Sequence, residues 1–273
     1  MVAADGVTGR QHAGPFEVYA IRLGTVDRAA RDNFLRGAGR DGTMRLDFDM
    51  WVIRRGDIAV VVDTGFSEYS GARRGRVMDR RPAEAVRSLG IDPDAVSYVV
   101  LSHLHYDHAG NVADFPTAEV CVQERELGYA FGGSMRHPSL NHFFEVEDLA
   151  DLVRRLHDGR VAVLNGVHRL ADGLELHLVG GHTRGLQVVR VRTARGWVVL
   201  ASDALHYYEN FELRDPFPGI VDLGEMLDGY DRIAALADSP QHIVPGHDPL
   251  VMERYDGTGL PDGVVALHLQ PGD

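Results

Sequence analysis

The stretch His103-Leu104-His105-Tyr106-Asp107-His108 spells H-x-H-x-D-H, and it constrains this chain more than any other feature. Three imidazoles and a carboxylate fall within six consecutive positions. The residues before them, Val96-Ser97-Tyr98-Val99-Val100-Leu101, are mostly apolar and rich in valine, which predicts a short buried strand. In a regular strand His103, His105 and Asp107 would share one face and His108 would point away. A loop at the strand end removes that restriction. His103 and His105 can then serve one ion while Asp107 and His108 serve a second. Histidine with carboxylate suits zinc, and mixed nitrogen and oxygen sets also accept iron or manganese.

Two ions need more ligands than the motif supplies, and three further candidates follow strand-like runs. His182 lies in Gly180-Gly181-His182-Thr183-Arg184-Gly185, after Leu174–Val179. Asp203 follows Trp197–Ala201, and His247 follows Ile243-Val244 in Pro245-Gly246-His247-Asp248. Flanking glycines let the backbone turn the imidazoles inward. A carboxylate at a strand end can span two ions with its two oxygens, and such a pair can activate a water between them.

These pieces, in this order, resemble the metallo-β-lactamase superfamily: H-x-H-x-D-H, a G-H-T loop, an S-D loop and a late G-H, from about Phe16 to Met252. Val62-Asp63-Thr64-Gly65 is similar to the D-T-G turn of that family. The resemblance implies an α/β fold, the four-layer αββα sandwich, with the site at one edge between the sheets. It implies two divalent metal ions, zinc first, with iron or manganese as alternatives. His103, His105 and His182 would hold one, Asp107, His108 and His247 the other, and Asp203 would bridge. Asp63 would orient ligands without touching metal.

Within the superfamily, His103 through Gly110 resembles the N-acyl homoserine lactonase branch and the related pyridoxolactonases. That implies opening of a lactone ring by a hydroxide held between the ions, with Asp107 assisting the leaving oxygen. One departure stands out. Lactonases of the quorum-quenching type commonly carry tyrosine three residues after the bridging aspartate, and this chain has His206, then Tyr207 and Tyr208. Either His206 or Tyr207 is expected to give the carbonyl its hydrogen bond. Arg184 stands where proline is frequent, as a solvated loop residue or a contact to substrate. Hydrolysis of an amide, β-lactam, aryl ester or thioester is the alternative on the same fold, and an iron redox protein is a more distant one.

Composition narrows the partners. The formal net charge is −12, which repels nucleic acid and acidic membrane surfaces. No apolar run approaches a membrane span. A small-molecule substrate is the expected partner, with a homodimer left open. All basic side chains are arginine, which excludes Schiff-base and phosphate-loop lysine chemistry. One cysteine, Cys121, reads as a core residue, and with the lack of a leader-like N-terminus it predicts a cytoplasmic protein.

The chain reads as one domain over 1–273. Strands are expected at Phe16–Leu23, Phe48–Arg54 and Ile58–Val62, the last two joined by a hairpin turn at Arg55-Gly56-Asp57. Helices are expected at Pro82–Leu89, Gln123–Ala130, Glu145–His157 and Leu223–Ala237. The last carries an apolar stripe of Leu223, Met226, Leu227, Tyr230, Ile233 and Ala234. Stretches 24–43 and 131–144 read as irregular binding or lid segments. His137 and His142 fall in the second and are candidates for a pocket wall, as are Met44, Phe48, Phe66 and Tyr69 near the first hairpin. His12 and the remaining histidines read as surface or core residues.

Overall fold

A computed structural model describes residues 14–255 and 259–272, so His12 lies outside the described residues. Two sheets carry the fold. The first runs through β1 (Glu17–Ala29), β2 (Thr43–Arg55), β3 (Ile58–Val62), β4 (Tyr98–Val100), β5 (Glu119–Gln123) and β6 (Val161–Leu164). The second holds β7 (Val167–Ala171), β8 (Leu174–Leu178), β9 (Gln187–Thr193), β10 (Gly196–Ser202) and β11 (Ile243–Pro245). A last strand, β12 (Val264–Ala266), returns to the first sheet beside β1.

Side-chain alternation explains the layering. On β3, Val60 and Val62 face the second sheet while Val61 faces outward; on β5, Cys121 faces inward between Val120 and Val122. The inward set meets Leu174, Leu176, Val189, Val198 and Leu200 of the second sheet. Helices Pro82–Ser88 and Val146–His157 cover the outer face of the first sheet through Ala85, Val86 and Leu152. Helix Leu223–Leu236 covers the outer face of the second through Met226, Tyr230 and Ile233. The result is the αββα sandwich. Cys121 sits inside it, its thiol pushed up to about 12 by burial, which makes it an inert core residue.

The expected elements recur within a residue or two at most ends, and several differences are informative. The β2–β3 hairpin turns on Gly56 and Asp57, with Gly56 at φ 58° as such a tight turn requires. Strand β1 does not stop at Leu23. It shifts register near Gly24 and continues, pairing with β2 out to Ala29 opposite Thr43. Residues 24–29 are therefore strand, and Ala30–Asn33 a 3-10 turn, within a stretch read as irregular. Two residues of that extension, Val26 and Arg28, share one face of the ribbon. The other irregular stretch contains a 3-10 turn at Gly133–Arg136 and a single helical turn at Pro138–Asn141. Leu223 and Ala234, expected on the buried stripe of the last long helix, are exposed at the margins of its contact face. Among the described residues no helix is long and apolar enough to cross a membrane.

The inter-sheet core should carry most of the stability. Leu176→Ala, at a fully buried position between the sheets, is expected to cost about 2–5 kcal/mol in urea unfolding. Val167→Ala, exposed on the edge strand β7, should change stability by less than about 0.5 kcal/mol.

Candidate metal centre

The ligand candidates converge because four strands end at the same edge. β10 and β11 run parallel, and β8 shares their direction through antiparallel β9, so their C-terminal ends project together. β4 reaches that edge from the other sheet. A buried amide ties the sheets there: Gln187 Nε2 donates to the carbonyls of Leu101 (2.8 Å) and Cys121 (3.2 Å), and Gln187 N donates to Ser102 O (2.8 Å).

Each candidate follows one of those strand ends. His103, His105, His182 and Asp203 place one ligand atom each within 4.8 Å of one another, and so do Asp107, His108 and His247. Asp203 stands between the sets. Its Oδ2 is 3.2 Å from His182 Nε2 and 3.8 Å from His103 Nε2, while its Oδ1 is 3.1 Å from His108 Nε2 and 2.9 Å from His247 Nε2. Of these seven side chains only Asp107 is more than slightly exposed.

The donor set fits divalent cations. Burial drives His103 and His105 well below the usual imidazole value and brings His182 down to about 4, which keeps these rings neutral. Neutral imidazole is the form that binds metal. Burial alone would raise the Asp203 carboxyl, but His108 and His247, whose own values the carboxylate raises in turn, hold it well below the carboxylate range. The Nε2 atom of His103 is buried with no hydrogen-bond partner. Leaving such groups unpaired is costly unless something else satisfies them.

Behind the ligands lies a polar shell. His108 Nδ1 is 2.8 Å from Asp63 Oδ2 and His247 Nδ1 is 2.7 Å from Asp47 O, which leaves Nε2 of each ring facing inward. Asp63 also accepts from Ser102 N (2.7 Å), Ser102 Oγ (2.7 Å) and Ser202 Oγ (3.1 Å). Glu126 is a residue that sequence reasoning missed. Its fully buried carboxylate accepts from Leu104 N (3.0 Å) and Gly185 N (2.9 Å), clamping the H-x-H and G-H-T loops together. In the sequence it resembles any glutamate in the first turn of a helix, and nothing there says it points inward. Its partner Gly185 packs so closely on Glu126 that a Cβ would strike its backbone.

The loop after Asp203 separates the two donor candidates. His206 faces the cluster, with Nε2 3.1 Å from Asp203 Oδ2 and its ring stacked on Phe217 at 3.9 Å. Burial lowers it to about 4. Tyr207 turns the other way: its hydroxyl donates to Arg45 O (3.1 Å), and its ring stacks on Phe34. Tyr207 has extended backbone (φ −127°, ψ 151°), so its side chain and that of His206 point to opposite sides and only His206 reaches the cluster.

Over the cluster lies a narrow slot of about 50 Å³, walled by Val26, Leu46, Phe48, Tyr106, Phe143 and Phe217 among others. Beside it opens a cavity of about 720 Å³ that shares Arg28, Arg76, Tyr106 and Phe143 with the slot. His142 lines that cavity, whereas His137 is exposed and pairs with its neighbour Arg136. Phe48 and Phe66 pack edge to face beneath the slot, Met44 packs against their cluster, and Tyr69 is 60% exposed and belongs to no wall. Arg184 is exposed and lines neither slot nor cavity, the solvated alternative of the two expected for it.

Comparison with known proteins agrees with this architecture. The family model described as the metallo-beta-lactamase superfamily matches residues 49–248. N-acyl homoserine lactonase AttM of Azorhizobium caulinodans is 32% identical over 60% of this chain and 62% of its own length. The chain thus spans less than two thirds of that relative. Among solved structures, an N-acyl homoserine lactone hydrolase with N-hexanoyl-L-homoserine at its catalytic metal centre superposes with a TM-score of 0.70 at 22% identity, covering 88% of this chain and 96% of that one. AidC, a dizinc quorum-quenching lactonase, gives 0.69 at 17% identity over 95% of both chains.

Asp63→Ala should leave the seven ligand candidates in place but loosen His108 and both serine-bearing loops. The expected outcome is a 10- to 100-fold loss of affinity for divalent metal, read by competition with a chromogenic chelator. Unchanged affinity would mean that Asp63 does not orient the ligands.

Proposed function

The chain belongs to the metallo-beta-lactamase superfamily, and we propose that it is a binuclear metal-dependent hydrolase that opens lactone rings, of the N-acyl homoserine lactone type or a related cyclic ester. The single observation that carries the reading is the double set of ligand atoms split across the two oxygens of Asp203. Its support from relatives is the lactonase named above and the two lactonase structures of the same fold. Its expected setting is the cytoplasm.

His103, His105 and His182 would hold one ion, Asp107, His108 and His247 the other, and Asp203 both. Divalent ions there, zinc by ligand type, would polarise the ester carbonyl and bring the pKa of a water toward neutrality. The chain's own groups supply the rest. Phe48, Phe217, Leu46 and Val26 give the slot apolar walls that exclude bulk water and strengthen the interactions inside it. His206 is neutral and fixed against Phe217, and its Nε2 lies 3.1 Å from Asp203 Oδ2; with Asp203 turned to the ions, that N–H would be freed for the substrate carbonyl oxygen. That donor strengthens as negative charge builds on the oxygen. Asp107 is the more exposed of the two carboxylates, with Oδ1 3.8 Å from His108 Nε2, and it would take the proton that the attacking water gives up and pass it to the leaving alkoxide.

Elemental analysis of protein prepared without chelator is expected to find about two metal equivalents per chain, and less than one with full activity would overturn the binuclear reading. A panel of lactones, thioesters, aryl esters and β-lactams then tests the bond: lactones should show the highest kcat/KM, and preference for another member would move the assignment to that bond. Asp203→Ala should abolish turnover, whereas Arg184→Ala at most shifts KM. His206→Ala should lower kcat roughly tenfold to a hundredfold with metals retained, while Tyr207→Phe should lose a hydrogen bond of about 1 kcal/mol in stability and little in kcat.

A further inference from the structure

The mouth of the site carries the wrong charge for this chain. The protein has a formal net charge of −12, yet the cavity beside the cluster is lined by Arg28, Arg73, Arg74 and Arg76. Two of the four already share a carboxylate. Arg73 and Arg74 both bind the buried carboxylate of Glu145, at 3.1 Å and 3.0 Å. Arg28 and Arg76 are different. Both line the slot over the metals as well as the cavity. Among the described residues neither has a carboxylate within 4.0 Å; the polar partners seen are Asp32 O for Arg28 and the Tyr106 hydroxyl for Arg76. The Nε of Arg76 is buried with no partner at all.

Both are also held in place. Arg28 sits two residues after Val26 on the same face of the β1 extension, pinned by the ladder to β2, with its guanidinium 4.8 Å from the Phe217 ring. Arg76 follows the left-handed Gly75 that ends helix Glu68–Arg74, and its backbone N–H donates to Gly71 O (2.8 Å). A guanidinium that is half-buried, positioned and short of acceptors is suited to a planar or tetrahedral anion. A mainly neutral acyl lactone would leave both unsatisfied when it displaced their water.

We propose that the natural substrate is an anionic lactone, one bearing a carboxylate or phosphate several bonds from the scissile ester, and that Arg28 and Arg76 receive that group at the junction of slot and cavity. The inference rests on the lactonase reading for the bond that is cleaved, but not for the charge that is bound. It makes Arg28 and Arg76 residues that set specificity. It also accounts for arginines at the entrance of a strongly acidic protein: without them the chain's own field would repel an anion from the metals.

The test pairs two homoserine lactones of equal chain length, one N-acylated with hexanoate and one N-acylated with adipate through one of its carboxyls, so that its chain ends in a free carboxylate. With the metal-loaded wild type, kcat/KM is expected to favour the carboxylate-bearing lactone by tenfold or more, and rising salt should erode that preference. Arg28→Gln and Arg76→Gln should each lower the charged-to-neutral ratio about 10- to 100-fold, mainly through KM. Arg184→Gln, outside the site, should leave the ratio unchanged. Metal content and thermal midpoint of each variant separate this from misfolding. A wild-type ratio of one or below, or a ratio that neither variant alters, overturns the inference. Calorimetric binding of the two corresponding lactams, which lack the ester, reads the same ratio independently of turnover. Arginine-dependent preference for the charged lactam without cleavage of any lactone would keep the anion pocket and defeat the lactonase reading. Equal affinities would defeat the pocket whatever the bond cleaved.

Discussion

The carboxylate of Asp63 is the point on which the site depends. It is fully buried and accepts from the backbone and hydroxyl of Ser102, the hydroxyl of Ser202 and the ring of His108. Those contacts join the loop after β4, its own turn after β3, and the loop after β10. Ser102 and Ser202 each immediately precede a ligand candidate, and the two hydroxyls also meet each other at 2.8 Å. A buried carboxylate is expensive unless its lone pairs are used, and here four donors use them. Satisfying Asp63 therefore forces three chain segments from two sheets into one arrangement. The orientation of His103, His108 and Asp203 follows from it.

Much of this was legible in the sequence, and the reasons differ by residue. The seven ligand candidates are visible because metal binding needs rare residue types at strand ends, and the spacing H-x-H-x-D-H has few other uses. The sheets are visible because valine-rich alternation has the strand period. Glu126 is not legible, since its work depends on which way one helix faces. The fates of His206 and Tyr207 could not be separated from adjacency alone, because the direction of a side chain in a loop is set by tertiary contacts. Here those are the Phe217 ring and the carbonyl of Arg45. The β1 extension was misread for a physical reason too. Beyond Gly24 one face of the ribbon lies over the site, so its residues are chosen for the slot and the alternation fades.

Strain gathers at the same place. Among the described residues only three other than glycine have positive φ, and two of them are Asp63 at 60° and Ser202 at 45°. Such backbone costs on the order of 1–3 kcal/mol per residue unless glycine relieves it. Glycine would relieve it here, but it would delete the carboxylate and the hydroxyl that tie the loops together. The chain keeps the functional side chains and accepts the strained backbone. It uses glycine only where no side chain is needed, as at Gly181, whose φ is 91° and whose missing Cβ lets Met226 approach.

Rigidity and charge then divide the labour. In the ligand cluster, burial lowers His103, His105, His182 and His206, and a fixed hydrogen-bond shell aims the rings, so on the proposed reading little reorganisation is needed when charge develops. Farther out, at Arg28 and Arg76, the groups are charged, half-exposed and short of partners. On the proposed reading, an inner zone that divalent ions would complete does not discriminate among esters beyond their fit to the slot. An outer zone left with unmet hydrogen-bonding capacity would discriminate, because a substrate that fails to meet it would bear the desolvation cost of the guanidinium groups. On the proposed reading, the chemistry of the bond lies in the strand ends, and the choice of substrate in the ribbon and the helix end that overhang them.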